Sequence, residues 1–286
     1  MARTNDCLVV GIRRVEQETM TTGALIFAFN NEHTDYVALA AWNAQNIRRH
    51  LDIPVAIVTD CTDHVRLRDF DRVIESQAEA GGSRWFEDYQ GHVTWYNAGR
   101  TESADLSPWD QTLVLDADYV VASDNLKFVL DSSKDFLCFR KSYDVTRPTD
   151  RFLETFGRGQ FPMWWATVMM FRKSPQTTFI FDSMKMIKAN WQHYVDLYGI
   201  SSNTYRNDYA LSIALGIVHG HSLKIDSIPW PMAATLPEHT VEAMGPDGYY
   251  IRYRDSENRD RYISIDGLDF HAMGKMHLEK IIASAT

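Results

Sequence analysis

An α/β fold, with a mostly parallel central sheet flanked by helices, follows from three stretches of this sequence. Gly23–Asn30 and Pro54–Asp60 are continuous apolar runs that end in polar residues, the pattern of strands buried on both faces. Between them, Val37, Ala40, Ala41, Ala44, Ile47 and Leu51 recur at helical spacing. Strand–helix–strand with unbroken apolar strands is the signature of a parallel, doubly covered sheet. A third run, Thr112–Val121, is apolar except for Asp116 and Asp118 near its end. Ligands of such sheets bind beyond the carboxyl ends of the strands, where this chain carries Asn30-Asn31, Thr59-Asp60 and Asp116/Asp118.

Taken in order, Thr34 is the expected N-cap of the first helix, and Arg48, Arg49 and His50 in its last turn complement the helix dipole. A looser segment follows, with Gly81-Gly82 and the aromatic-rich Ser83–Tyr96. Residues 20–125 thus read as a ligand-binding half and 126–286 as a more mixed half of the same domain. In the second half Phe136–Phe139 reads as a strand, Arg140–Gln160 as a loop or flap, and Pro162–Phe171 as a further strand. Ser174-Pro175 punctuates before a helix from about Gln176 to Trp191. Asn207 or Ser201-Ser202 starts another helix, expected to end at Gly216. Pro246-Asp247-Gly248 turns into Tyr249–Tyr253, which alternates with Arg261–Ile265 like a hairpin.

Asp116 and Asp118 carry the strongest chemical signal. Alternation along an extended chain puts them on one side. Two bare carboxylates so placed repel each other and are costly to desolvate unless something positive joins them. A divalent cation with oxygen ligands is the simplest candidate, and a nucleotide diphosphate is its usual companion. The alternative is that one aspartate caps the next element and the other faces solvent.

The 286 residues suffice for one sizeable core, and 45% hydrophobic and 23% charged residues are ordinary for a globular protein. Net charge of −9 argues against a polyanion held by bulk electrostatics. Cys7, Cys61 and Cys138 are odd in number and lack a CxxC spacing, which fits reduced thiols in a cytoplasmic protein. No apolar run approaches the roughly 18 residues needed to span a bilayer. The apolar stretch after Asp6 is too short, and too soon followed by Arg13-Arg14, for a signal peptide.

The buried strand Ala24–Asn30, a basic residue before the third strand, Leu115-Asp116-Ala117-Asp118, and Phe270-His271-Ala272-Met273-Gly274-Lys275 occur in that order. In this the chain resembles the GT-A-fold glycosyltransferases, in particular the glycogenin and bacterial galactosyltransferase group. The resemblance implies a GT-A-like fold with an acceptor-side C-terminal half, and transfer of a hexosyl or pentosyl group from a nucleotide-sugar. It implies that Asp116, Asp118 and His271 hold Mn2+ (or Mg2+) against the diphosphate of a nucleotide-sugar, a UDP-sugar above all. Arg100 matches the family's basic residue at the donor, as a binding and catalytic group. Lys275 stands near a family lysine on phosphate, whose own place is held here by His277. Asp208 matches a carboxylate near the anomeric centre or the acceptor; it is also a natural helix cap. The nucleoside is expected beside Phe29, Asn30 and Asp60.

Trp85, Phe86, Tyr89, Trp95, Tyr96, Trp164 and Trp165 suit stacking on a sugar or base, although most buried aromatics are core. Arg140, Lys141, Arg147, Arg151 and Arg158 in the predicted flap leave a nucleic-acid acceptor open. Two other classes compete: a haloacid-dehalogenase-type phosphohydrolase, whose Asp-x-Asp supplies nucleophile and acid, and a non-catalytic nucleotide-sugar-binding protein.

Overall fold

The computed structural model describes residues 20–86, 91–222, 224–245 and 247–285. The expectations on the N-terminal stretch and Cys7, on Tyr89 and on Pro246 fall outside them, as does the side chain of Phe86. In chain order come β1 (Thr22–Phe27), α1 (Tyr36–Leu51), β2 (Val55–Thr59), α2 (His64–Leu67) and β3 (Arg72–Glu75). A hairpin of β4 (Gly82–Phe86) and β5 (Gly91–Trp95) leads through a 3-10 turn (Ala98–Glu102) to α3 (Ser103–Leu106). Then follow β6 (Gln111–Asp116), β7 (Tyr119–Val120), α4 (Asn125–Leu130), β8 (Phe136–Phe139), β9 (Ser142–Asp144) and β10 (Arg147–Arg151). The pair β11 (Thr155–Phe156) and β12 (Phe161–Pro162) precedes β13 (Trp165–Arg172), α5 (Pro175–Ala189), α6 (Trp191–Tyr198) and α7 (Asn207–Val218). The chain closes with β14 (Met232–Thr235), β15 (Thr240–Ala243), β16 (Gly248–Arg254), β17 (Asp260–Asp266), β18 (Phe270–Ala272) and α8 (Lys275–Ala285).

The central sheet has the order β3-β2-β1-β6-β13-β8. β1 pairs in parallel with β2 and β6, and β2 with β3, whereas β13 runs against both β6 and β8. Ala24–Ile26, Val55–Val58 and Leu113–Leu115 are fully buried, which is why these strands read as unbroken apolar runs. Each such Leu, Ile or Val contributes about 1.5–3 kcal/mol by leaving water. Because β13 and β8 come from the second half, both halves share one sheet and one core.

Several boundaries differ from the sequence expectation. Asp35, not Thr34, caps α1: its Oδ1 accepts from the Ala38 amide at 3.0 Å, while Thr34 is buried. Ser83–Tyr96 is largely the β4–β5 hairpin. Arg140–Gln160 is not a free flap, because β9 and β10 join a second sheet of order β10-β9-β14-β18-β7. The helix expected to reach Trp191 breaks at Asn190, whose backbone (φ −117, ψ 34) leaves the helical region, and α6 starts afresh. Helix α7 runs through Gly216 to Val218 and is stopped by Gly220 at φ +60, with the His221 amide donating back to the Gly216 carbonyl (2.6 Å). The hairpin expected from Tyr249 to Ile265 is β16–β17.

Candidate active site

Strand β6 ends at Asp116, and residues 117 and 118 form a turn into β7, which belongs to the second sheet. The two carboxylates therefore meet through a turn between sheets, where the sequence predicted simple strand alternation. The second sheet also supplies the histidine. β18 lies antiparallel to β7 with His271 opposite Tyr119, and the Ala272 amide donates to the Asp118 carbonyl at 2.9 Å. One ligand-type atom each from Asp116, Asp118 and His271 lie within 4.8 Å of one another.

Cations flank the pair. Arg100, in the 3-10 turn, has a side chain only 3% exposed; its Nη2 is 2.6 Å from Asp116 Oδ1 and its Nη1 donates to the Ala166 carbonyl at 3.1 Å. Lys275, the first residue of α8, brings its Nζ to 2.6 Å from Asp118 Oδ2, and His271 Nε2 lies 3.4 Å from Asp118 Oδ1. The two aspartates are consequently pushed apart in acidity. Burial raises Asp116, and the Asp118 charge adds to the rise against the opposing Arg100. Burial acts on Asp118 too, but the Lys275 ammonium and His271 overcome it and hold that carboxyl far below its usual range. Gly274 makes the approach of α8 feasible: a Cβ there would sit 2.8 Å from the Pro237 carbonyl oxygen and 3.1 Å from that of His239.

Asp208 is the second residue of α7. Its Oδ1 accepts from the Ala166 amide (2.9 Å) and its Oδ2 from Arg206 Nη2 (2.8 Å), while the Arg206 guanidinium lies over the Tyr209 ring at 5.3 Å. The Ala166 peptide is thus gripped from both ends, by Asp208 at its N–H and Arg100 at its C=O.

All these groups line one cavity of about 390 Å³. Phe29, Tyr36, Trp95 and Trp165 give it aromatic walls, and Arg100, Asp116, Asp118, Asp208, His271 and Lys275 all reach it. Asn30 and Asp60 are not among its lining residues; Asn30 Oδ1 instead accepts from the Val37 amide in the first turn of α1 (3.0 Å). None of Arg140, Lys141, Arg147, Arg151 and Arg158 lines it, and Arg140 is committed to the Glu154 and Met163 carbonyls. Arg206 and Thr167 line the cavity without having been singled out in the sequence. For Arg206 a signal existed: an arginine two residues before a helix-starting aspartate.

The donor set suits a divalent ion. His271 Nδ1 is buried without a hydrogen-bond partner among the described residues, and imidazole beside carboxylates favours Mn2+ over Ca2+. No protein-family profile and no curated protein matches the chain. Solved structures do. A galactosyltransferase, LgtC, in complex with donor and acceptor sugar analogues is 12% identical, with 67% of this chain and 70% of that one covered at a TM-score of 0.46. Mouse xyloside xylosyltransferase is 14% identical, covering 71% and 84% at 0.41. A mannosyltransferase from Pyrobaculum calidifontis, in complex with GDP-Man and Mn2+, is 11% identical, covering 75% and 56% at 0.39. All three are glycosyltransferases by description; at these scores they add no weight to any residue's role here. No helix among the described residues is long and apolar enough to cross a membrane.

Proposed function

We propose that this protein is a metal-dependent glycosyltransferase that moves a hexosyl or pentosyl group from a nucleotide-sugar, a UDP-sugar in the first instance, to an acceptor. The observation that carries this reading is the Asp116–Asp118–His271 cluster, set at the carboxyl end of a buried parallel strand inside a cavity with aromatic walls. Those three residues would hold Mn2+ or Mg2+. Such an ion, when bound, supplies positive charge to a departing diphosphate.

The chain's own residues account for the rest. Lys275 brings a second cation to the same spot and, with the diphosphate present, exchanges its Asp118 partner for a phosphate oxygen. Arg100 opposes the rise that burial imposes on the Asp116 carboxyl and aims it, and through Ala166 fixes the backbone beside Asp208. Asp208 accepts one hydrogen bond at each oxygen, from the Ala166 amide and from Arg206, and these fix its orientation beside the reacting carbon. Phe29 and Tyr36 offer ring faces to the base, with Asn30 and Asp60 at the neighbouring strand ends. Cys61 and Cys138, unpaired among the described residues, support a reducing, cytoplasmic setting. No observation favours a phosphohydrolase or a non-catalytic binding protein.

The test is to incubate the purified protein with Mn2+ and a panel of nucleotide-sugars and to follow free nucleoside diphosphate with and without EDTA. Slow, EDTA-sensitive release from a subset of donors is expected even without acceptor. Release from none, with no thermal shift by any nucleotide, would overturn the reading.

A further inference from the structure

Helix α7 starts from a residue that helix physics disfavours. Arg206 is its N-cap, with extended backbone (φ −137, ψ 132) and no side-chain hydrogen bond to the first turn. Ser, Thr, Asp and Asn stabilise that position through oxygens that accept from the free amides, whereas a cation opposes the positive end of the helix dipole. Local violations of this kind gather at functional positions. Asp208 does not require the arginine, because its other oxygen accepts from the Ala166 amide and the first turn of a helix favours a carboxylate by itself. The segment entering α7 presents Arg206 to the cavity. Ser202, Thr204 and Arg206, every second residue, line the wall, while Tyr205 between them is buried and packs edge-on against Trp191 (5.3 Å). The Arg206 side chain keeps 38% of its surface exposed, so a ligand in the cavity can reach it.

We propose that Arg206 is a specificity-determining residue for the acceptor, and that the acceptor carries a carboxylate or phosphate which the Arg206 guanidinium binds. The inference rests on the transferase reading above and names its substrate class. The donor's diphosphate is served by Lys275 beside Asp118, whereas the contacts of Arg206 are with Asp208 and Tyr209. Neutral sugar hydroxyls need no permanent cation, and Ser202 and Thr204 on the same wall can serve them. An anionic group does need one, because the planar fork of a guanidinium matches the oxygens of a carboxylate or phosphate in pairs. Asp208 takes only one of the fork's N–H donors, from Nη2 at 2.8 Å. The fork is also held in place. It lies over the Tyr209 ring at 5.3 Å, and that ring lies nearly parallel to Trp191 (16°), so little freedom is lost when an anion binds.

The experiment uses the donor identified in the panel and matched acceptors that differ by one group. These are a neutral aryl glycoside, the corresponding uronide and the phosphorylated glycoside, in the glucose and galactose series. Wild type should favour an anionic member over its neutral counterpart by roughly ten- to a hundredfold in kcat/KM, as expected of a hydrogen bond between charged groups. The preferred member distinguishes carboxylate from phosphate. Arg206→Gln should bring that ratio close to unity, and Arg206→Lys, which keeps the charge and loses the fork, should retain part of it. A residue that merely holds Asp208 would lower turnover on all acceptors alike, so an unchanged ratio in Arg206→Gln overturns the inference. Should Arg206→Gln not fold, Arg206→Ser supplies a favoured N-cap and must show the same loss of preference. A wild type that hydrolyses the donor yet gains nothing from the anionic acceptors overturns the inference and leaves the transferase reading intact. Release of nucleotide from no donor overturns both.

Discussion

Asp116 and Asp118 are near neighbours in opposite electrostatic situations, and that difference sets what each substitution should do. Asp118 is held strongly ionised by Lys275 and His271, so it would be the firmer anionic partner for the proposed metal. Asp118→Asn keeps the shape and removes the charge; turnover should fall about 10–100-fold or more, with the far-ultraviolet spectrum unchanged. A variant within twofold of wild type would remove Asp118 from the metal site. Arg100 tests the opposite case. It is almost fully buried against Asp116, whose side chain is 24% exposed, and Arg100→Ala leaves that carboxylate without its cation. We expect a stability loss of about 3–5 kcal/mol by urea denaturation, because breaking a buried pair costs more than the pair itself contributes. A loss under about 1 kcal/mol would mean that solvent reaches Asp116 freely.

At the scale of elements, the turn from β18 into α8 delivers both His271 and Lys275, and it closes only because residue 274 lacks a side chain. Gly274→Ala should therefore weaken metal-dependent turnover without touching a ligand, and destabilise by about 1–3 kcal/mol through overpacking against the Pro237 and His239 carbonyls. Equal metal saturation curves for variant and wild type would show that α8 can shift without consequence. A second prediction concerns how α1 is fastened to the sheet. Asp71 Oδ2 accepts from Arg48 (2.8 Å) at the end of α1 and from the Val55 amide (2.8 Å) at the start of β2. Although burial alone would raise it, those hydrogen bonds and the Arg48 charge hold its carboxyl below the usual range. The folded pKa being depressed, the stabilisation is present above the unfolded value near about 4 and is lost as pH falls through the folded one. Asp71→Asn should thus be less stable than wild type at neutral pH, with the gap closing below about pH 4 in denaturant titrations. A gap independent of pH would exclude the carboxylate as its origin.

Legibility differed by element for the same physical reasons. β1, α1 and β2 were readable because burial on both faces and helical periodicity write themselves into local composition. β9 and β10 were not, since their charged residues look like a solvated loop; β9 becomes a strand by pairing with the distant β14, and β10 by pairing with β9. Asp116, Asp118, His271, Arg100, Lys275 and Asp208 were named from the sequence, and the structure brings all six to one cavity. The slip of the ladder between Trp165 and Met169 was not legible, because it exists only once β13 has paired with β8.

For the whole molecule, the decisive act of the fold is to join two sheets at one turn. The central sheet ends in Asp116, the second sheet begins with β7, and β18 returns along β7 to set His271 against Asp118. The cavity exists where these sheets and the starts of α7 and α8 converge. A site assembled from such distant segments should disappear cooperatively with the fold and reappear only with it. The most direct measurement is therefore a Mn2+ titration followed by electron paramagnetic resonance, in the presence of a saturating nucleoside diphosphate. One Mn2+ should bind per chain in the wild type, with binding lost in Asp118→Asn and His271→Ala although both remain folded. Undiminished binding in those variants, or none in the wild type, would contradict the account.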